Sequence, residues 1–97
     1  MMVEEVFSSR GRVKILRLLV EIGELNISEI ARRTGLNYAT AIQHLSTLED
    51  AGLVCHKSFG RIRIYRLNEN NSYTKAVKEL IESWEQTEKK EKTVRKL

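Results

Sequence analysis

The sequence predicts an α+β fold that is mostly helical, in one small domain. Three observations favour it: apolar residues recur at helical spacing up to residue 50, two β-prone runs then surround a glycine at position 60, and helical spacing returns after residue 72. A brief earlier strand would extend the β-hairpin to an antiparallel sheet of two or three strands. The 97 residues suffice for one modest core and are too few for a separate sensor or catalytic domain.

The chain is expected to begin with a short arm and one buried helix. Residues 1–7 carry two acids and a few apolar residues, enough for a short helical arm. Ser8 or Ser9 can cap the next helix, which ends before Gly23. Its wide apolar face consists of Val13, Leu16, Leu19 and Val20, with Ile15 and Leu18 beside them.

Two helices joined by a tight turn are predicted next. A brief strand over residues 25–27 leads to Ser28, a good N-cap for a helix of about two turns over residues 29–34. Gly35 can close that helix in the left-handed conformation, and Asn37 can cap the following one. The connection 35–37 therefore has the three-residue length of a helix-turn-helix.

The helix over residues 38–50 has two very different faces. Ala41, Leu45 and Leu48 recur at i, i+4 and i+7, so they share one apolar face. The outward side chains are neutral and polar, without a carboxylate, whereas a merely solvated helix face carries mixed charge. Such a surface can lie against the edges of bases. Its members are Tyr38, Thr40, Gln43, His44 and Thr47.

The hairpin carries a concentrated positive charge. Its strands are expected over residues 53–57 and 62–67, around the loop 58–60, with Leu53, Tyr65 and Leu67 facing the core. The whole chain has a formal charge of +4, but no acidic residue lies between positions 51 and 68. A local positive field of this kind favours a polyanionic partner. The basic residues in this stretch are Lys57, Arg61, Arg63 and Arg66.

The C-terminal helix is expected to start at Ser72 and to continue to the end of the chain, roughly 39 Å at 1.5 Å per residue. One small core cannot cover that length. Alternating steps of four and three place a heptad-like seam along the helix, which indicates pairing with a partner helix. We expect a dimer interface formed by Tyr73, Val77, Leu80, Trp84 and Thr87, with Val94 as a last, weaker position.

Several classes of protein are disfavoured by the sequence. Cys55 is the single cysteine, so an internal disulfide and a cysteine-rich metal site are excluded, and a reducing compartment is expected. No apolar run reaches the ~20 residues of a membrane span, and residues 1–10 lack the order of a signal peptide. Glycine-rich phosphate loops, nucleophile-plus-base patterns and metal-ligand spacings are lacking too. We therefore expect a cytoplasmic protein that is not an enzyme and has no cofactor or bound metal.

The order of elements resembles the winged helix-turn-helix repressors of prokaryotes, especially the ArsR-like group and the related MarR-like regulators. The resemblance covers residues 8–84. It is carried by the runs Gly-Arg-Val-Lys-Ile-Leu-Arg-Leu-Leu and Ile-Ser-Glu-Ile-Ala-Arg-Arg-Thr-Gly, by residues 40–54, and by the Gly-Arg and Tyr-Arg-Leu segments of the hairpin. Metal-sensing members keep a cysteine pair or a His/Asp/Glu cluster on helices, and this chain departs from that pattern. A metal or small-molecule effector is accordingly not expected.

The resemblance implies a homodimer on double-stranded DNA, with the 38–50 helix of each subunit in successive major grooves. The hairpin becomes the wing, on the flanking backbone or minor groove. Residues 1–71 would form the DNA-binding domain, and residues 72–97 the dimerisation helix of the same domain. The expected base or groove contacts are Tyr38, Ala39, Thr40, Gln43, His44 and Thr47; the expected backbone or wing contacts are Lys57, Arg61, Arg63, Arg32 and Arg33.

Some of these roles have equally plain alternatives. His44 can support local packing or hold a phosphate instead of reading a base. Arg32 and Arg33 can simply pair with nearby acids at the surface. His56 is expected on the surface of the wing. For the chain as a whole, the first hypothesis is a repressor that reads a pseudo-palindromic operator, and the alternative is a winged-helix module that docks on another protein in a transcription or replication assembly.

Overall fold

The computed structural model describes residues 2–95, with side chains described as far as residue 92. It confirms the α+β fold, with five helices and a three-stranded antiparallel sheet among these residues. The predicted end of the last helix at residue 97 and the side chain of Val94 lie outside the described part. The elements are α1 (Val3–Phe7), α2 (Arg10–Ile22), β1 (Glu24–Asn26), α3 (Ile27–Thr34), α4 (Tyr38–Asp50), β2 (Val54–Phe59), β3 (Ile62–Leu67) and α5 (Ser72–Arg95).

Helix α2 forms the centre of the core. Ser9, rather than Ser8, is its N-cap: the Ser9 hydroxyl accepts a hydrogen bond of 3.2 Å from the backbone N–H of Arg12. Ile15, Leu16 and Leu19 of α2 are almost fully buried. They belong to one cluster with apolar side chains from α1, α3, α4, the connection before β2, the sheet and α5, namely Val6, Ile27, Ile30, Leu45, Leu48, Leu53, Val54, Tyr65, Leu67 and Ile81.

The predicted start of α3 was wrong by two residues. Asn26, not Ser28, is the N-cap, and its side-chain oxygen accepts a hydrogen bond of 2.9 Å from the N–H of Glu29. Strand β1 pairs with β3 only as far as Asn26, opposite Ile64. The chain then turns at once into the helix because Ile27, the first helical residue, is buried in the core.

The wing hairpin is tighter than the sequence analysis predicted. Phe59 pairs with Ile62, so the connection is the two-residue turn Gly60–Arg61, and residues 58 and 59 belong to β2. Gly60 has φ of 63°, which is what the first position of a type II′ hairpin turn requires. The predicted loop, residues 58–60, ended with this glycine, so it began two residues and ended one residue too early.

The two faces of the sheet divide as expected. Strand order is β1-β3-β2, and Val54, Tyr65 and Leu67 face the core. Phe59 and Ile62 lie on the opposite face near the tip of the hairpin, and both are exposed. The wing thus has an apolar base that is buried against the helices and a tip that projects from the domain.

Helix α5 closes the core with a different stripe from the predicted seam. Thr74 and Ile81 are buried and Val77 is half-buried, while Arg17 of α2 pairs with Glu85 at 2.7 Å. The predicted seam overlaps this stripe only at Val77. Two neighbouring stripes of α5 have apolar residues at helical spacing, and the sequence alone does not say which one faces inward. The other predicted seam positions are exposed: Tyr73, Leu80, Trp84 and Thr87.

Candidate nucleic-acid interface

The turn between α3 and α4 fixes the direction in which α4 projects. Gly35 adopts φ of 74°, a left-handed conformation that costs glycine little, and the N–H of Leu36 donates to the carbonyl of Ala31 at 3.1 Å. Asn37 then caps α4, because its side-chain oxygen accepts from the N–H of Thr40 at 2.8 Å. These local bonds end one helix and begin the next within three residues.

Helix α4 buries its apolar face completely and leaves most of its polar face open. Ala41, Leu45 and Leu48 have no exposed surface. On the other side Tyr38, Ala39 and Gln43 are exposed, whereas Thr40 and Thr47 are half-buried. The Thr47 hydroxyl donates to the backbone carbonyl of Gln43 at 3.1 Å and keeps its lone pairs to accept a further bond. The arrangement offers donors, acceptors and the small Ala39 methyl group to a groove.

His44 is the predicted groove residue that the structure turns towards the protein. Its Nε2 atom lies 3.5 Å from the hydroxyl of Ser9, and its Nδ1 atom lies 3.3 Å from the guanidinium of Arg12. Gly11 packs so closely that a Cβ added there would come within 2.7 Å of the His44 ring. Both ring nitrogens therefore already have partners in α2 or at its N-cap, so the packing alternative describes the position of His44 better than base reading.

The environment of His44 keeps the imidazole neutral. Burial, together with the positive charge of Arg12, lowers the pKa of His44 below its ordinary value of 6.5. Arg12 never gives up its proton, so Nδ1 must be the acceptor and Nε2 carries the hydrogen, directed to Ser9. Arg12 also donates to the carbonyls of Glu5 and Val6 at the end of α1. The sequence pattern did not predict the contacts of His44, because its partners in α2 and at the N-cap of α2 are 32 or more positions away along the chain.

The basic residues of the wing lie at its tip and along its edges. Lys57, Arg61 and Arg63 are all exposed. Arg61 lies in the turn, and the strand register places Arg63 on the same face as Tyr65 and Lys57 on the opposite face. The Tyr65 hydroxyl beside Arg63 raises the pKa of that guanidinium, with smaller contributions from Tyr38 and Glu49 of α4. Arg63 thus belongs to the same face of the wing as Tyr65.

A second contact that sequence analysis missed joins the wing to α4. His56 of β2, expected on the wing surface, is half-buried, and its Nδ1 atom lies 2.5 Å from Oε2 of Glu49. The His56 ring also lies against Tyr65, with ring centroids 5.0 Å apart and planes inclined by 37°. The C-terminal half of α4 and the wing are therefore held at a defined angle.

Arg32 and Arg33 at the end of α3 pair with the same carboxylate. Glu29 accepts from Arg32 at 2.7 Å and from Arg33 at 3.0 Å, and these two hydrogen bonds lower the pKa of Glu29. All three side chains are well exposed, so the pairs contribute little to stability. Their positive charge is partly neutralised, as is that of Arg66, which lies 3.9 Å from Glu24. The other basic residues of the hairpin form no salt bridge among the described residues.

Two apolar grooves lie on either side of Leu80 on α5. One has a volume of about 350 Å³ and is lined mainly by Phe7, Val13, Leu80 and Trp84. The other has a volume of about 320 Å³ and runs between α1 and the start of α5, past Val6 and Tyr73. Both grooves are open to solvent and lie along the exposed stripe of α5.

Two features are absent from the described part of the chain. Among residues 2–95, no group of three or more His, Cys, Asp or Glu side chains is close enough to hold a metal ion. Over the same residues, none of the helices has both the length and the apolar character needed to cross a membrane.

The helix-turn-helix, the projecting hairpin and the exposed polar face of α4 together define a winged helix-turn-helix protein of the class that binds DNA. Residues 9–55 match the model of the family described as bacterial regulatory protein, arsR family. The resemblance predicted from the sequence is thereby confirmed: the chain is a winged helix-turn-helix transcriptional regulator that is similar to the ArsR family over residues 9–55.

Solved structures of similar proteins agree with this assignment. HlyU from Vibrio cholerae is 28% identical, with 82% of this chain and 84% of that chain covered and a TM-score of 0.71. The homodimeric winged helix-turn-helix DNA-binding domain of a possible ArsR-family regulator from Mycobacterium bovis is 28% identical, covering 87% and 75%, with a TM-score of 0.70. The transcriptional repressor BigR from Xylella fastidiosa is 25% identical, covering 81% and 74%, with a TM-score of 0.70.

Proposed function

We propose that this regulator is a homodimeric repressor that reads a pseudo-palindromic operator in double-stranded DNA. The observation that carries the proposal is the exposed, neutral polar face of α4 beside a wing without acidic residues between positions 51 and 68. In this arrangement each α4 enters one of two successive major grooves, and each wing follows the flanking backbone or minor groove. Bound in the cytoplasm to chromosomal DNA, the dimer would block a promoter.

Different residues would supply selectivity and attraction. Gln43 can form paired hydrogen bonds with an adenine, and the Ala39 methyl group can meet a thymine methyl group. Tyr38, Thr40 and Thr47 can reach base edges or phosphates. The basic wing residues would bind phosphates or the minor groove, which sets affinity and salt dependence more than sequence preference. These wing residues are Lys57, Arg61 and Arg63.

We propose different roles from those predicted for His44 and for the pair Arg32 and Arg33, because of the contacts that their side chains make. His44, with both ring nitrogens occupied, would position α4 instead of contacting a base. Arg32 and Arg33 share the carboxylate of Glu29 and would contribute a smaller part of the attraction than the wing arginines.

The partner proposed for α5 is a second copy of the same chain. Leu80 and Trp84 leave 52% and 65% of their surface exposed, which is costly for large apolar side chains of a protein that stays alone. The two grooves beside Leu80 can receive the same side chains of a second copy, as a two-fold symmetric interface requires. The similar domain from Mycobacterium bovis is described as homodimeric. The proposed interface comprises Tyr73, Val77, Leu80, Trp84 and Thr87, and no metal or small-molecule effector is invoked.

Selection of bound sequences from random double-stranded DNA tests the proposal most directly. We expect recovery of two inverted half-sites about one helical turn apart, and gel shifts that prefer the selected sequence over random DNA at physiological salt. Equal affinity for selected and random DNA would contradict sequence-specific regulation.

The same exposed face of α5 also suits the alternative, a winged-helix module that docks on another protein of a transcription or replication assembly. That alternative requires a monomer with Leu80 and Trp84 open to solvent. Sedimentation equilibrium separates the two functions because it measures the mass of the free protein: the repressor is expected at twice the mass of the chain, and the docking module at the mass of one chain.

A further inference from the structure

The carbonyl oxygen of Gly52 holds the end of α4 against the beginning of α5. Three side chains donate to this one atom: Asn71 through Nδ2 at 2.9 Å, Asn68 through Nδ2 at 3.2 Å, and Thr74 through its hydroxyl at 3.4 Å. A carbonyl oxygen has two lone pairs, so three donors exhaust its capacity. Gly52 follows α4 after a single residue. The connection between β3 and α5 is thereby fastened to the end of the recognition helix.

Asn71 has a second role that makes it the central member of this group. Its Oδ1 atom accepts a hydrogen bond of 2.9 Å from the N–H of Tyr73, which caps the first turn of α5. One side-chain amide therefore caps α5 with its oxygen and binds the end of α4 with its nitrogen. The contact is close, because a Cβ atom added at Gly52 would collide with the Asn71 amide.

We propose that Asn71 is a positioning residue that sets the distance between the two recognition helices, and hence the half-site spacing that the regulator prefers. This inference rests on the proposed function, since it requires that two copies pair through α5. The helix has 24 residues. A tilt of about 9° at its Asn71 end displaces Thr87, the last residue of the proposed interface and roughly 24 Å away along the helix, by about 4 Å, which is close to the rise of one base pair. A small change in the angle of α5 at Asn71 would therefore change the half-site spacing that the dimer prefers.

The variant Asn71→Asp separates the two roles of the side chain. The aspartate keeps an oxygen that can cap α5, but it replaces the nitrogen donor by a second oxygen facing the Gly52 carbonyl. Asn70→Asp is the matched control, because it introduces the same charge at the adjacent exposed residue, for which the described chain shows no hydrogen bond. Thr74→Val removes the longest of the three bonds and provides a second variant of nearly unchanged volume.

The test measures affinity as a function of half-site spacing. A pseudo-palindrome selected by the full-length wild-type protein is synthesised with about one or two base pairs added or removed at its centre, around the one-turn spacing. We expect wild type and Asn70→Asp to share one optimum. Asn71→Asp is expected to move the optimum or to reduce the discrimination between adjacent spacings by about threefold to tenfold, the size of effect that loss of one hydrogen bond supports. Thr74→Val is expected to change the spacing profile in the same direction as Asn71→Asp, but by a smaller amount.

Two controls keep the interpretation unambiguous. Sedimentation and thermal unfolding establish that each variant is folded and paired, and a loss of stability alone lowers affinity at all spacings equally. A spacing profile unchanged in folded Asn71→Asp, or unchanged in Thr74→Val if Asn71→Asp does not fold, overturns the inference while the proposed function stands. A wild-type protein that selects no pseudo-palindrome contradicts the proposed function and the inference together.

Discussion

The guanidinium of Arg12 lies 3.3 Å from Nδ1 of His44, so α2 holds α4 through a bond that only a neutral imidazole can accept. The same guanidinium donates to two carbonyls at the end of α1. The N-terminal arm, the first helix of the domain and α4 therefore meet at one side chain. Protonation of His44 would place two cations in contact at this point.

Acidification is expected to weaken the fold through His44. The pKa of His44 is lowered in the folded state, mainly by burial and then by Arg12, while the unfolded chain keeps a value near 6.5. Above that pH both states are neutral. As pH falls below about 6.5 the unfolded state takes up the proton first, so the free energy of unfolding decreases until the folded-state pKa is passed.

Urea unfolding measured between about pH 7.5 and pH 5 would detect this dependence, because that interval spans the titration of an ordinary histidine. The comparison is His44→Gln, which retains an acceptor for Arg12 and a donor for Ser9 but does not titrate. Wild type is expected to lose more stability than the variant over this range. Parallel pH profiles of the two proteins would rule out a contribution from His44, since all other titrating groups are shared.

Base reading and electrostatic attraction are expected to respond to different substitutions. Gln43→Ala should cost about 1 to 3 kcal/mol at one base position, whereas Arg61→Ala should weaken binding to all sequences and reduce the salt slope by about one unit. Gel shifts on single-base variants of the selected operator, repeated at several salt concentrations, measure both effects. Equal loss on every sequence for both variants would contradict the proposed division of roles.

The bond between the wing and α4 should be visible in stability. Glu49→Ala removes the partner of His56, and we expect the free energy of unfolding to fall by about 0.5 to 1.5 kcal/mol, the usual net value of a hydrogen bond. Asp50→Ala is the control, because it removes a neighbouring exposed carboxylate for which the described residues show no hydrogen bond. Identical urea midpoints for the two variants would show that the 2.5 Å contact contributes nothing.

Pairing through α5 is tested by substitutions on its exposed stripe. Leu80→Ala combined with Trp84→Ala removes apolar surface that the single chain leaves open, so the fold should be little affected while sedimentation shows a monomer. Affinity for the two-half-site operator should then fall by about 100-fold or more, because the avidity of two linked sites is lost. Glu82→Ala, exposed on the opposite flank of α5, is the control. A double variant that remains dimeric would place the interface elsewhere, with α1 and α2 as the next candidates.

Truncation after residue 71 is a less informative test of pairing, because it would also remove the buried Ile81.

Local chemistry accounts for most of what the sequence predicted correctly. The caps at Ser9 and Asn37, the left-handed Gly35 and the buried positions of α4 depend on residues within a few positions of one another. The end of β1 and the cap at Asn26 were missed because pairing with β3 decides where the strand stops. The contacts of His44 with α2 and of Asn71 with Gly52 join residues 19 or more positions apart. Helical or strand periodicity in the sequence does not predict contacts at such separations.

In the candidate site, too, the features that depend on local sequence were predictable, and those that depend on packing between distant segments were not. The polar face of α4 and the basic wing follow from the sequence, because each depends on residue type and alternation. The inward orientation of His44 does not, since a histidine at that helical position can turn either way until α2 is packed against it. The choice between Ile81 and the neighbouring stripe of α5 likewise depends on which side meets the core.

Thr74 and Ile81 complete the core from one side of α5, so the core of the described residues is built from side chains of one chain. The proposed pairing through α5 would then depend on protein concentration, whereas the core of each chain would not. The quantity of regulator made by the cell would decide how much of it is active: dilution would leave intact but single chains, which can be recruited again as synthesis resumes.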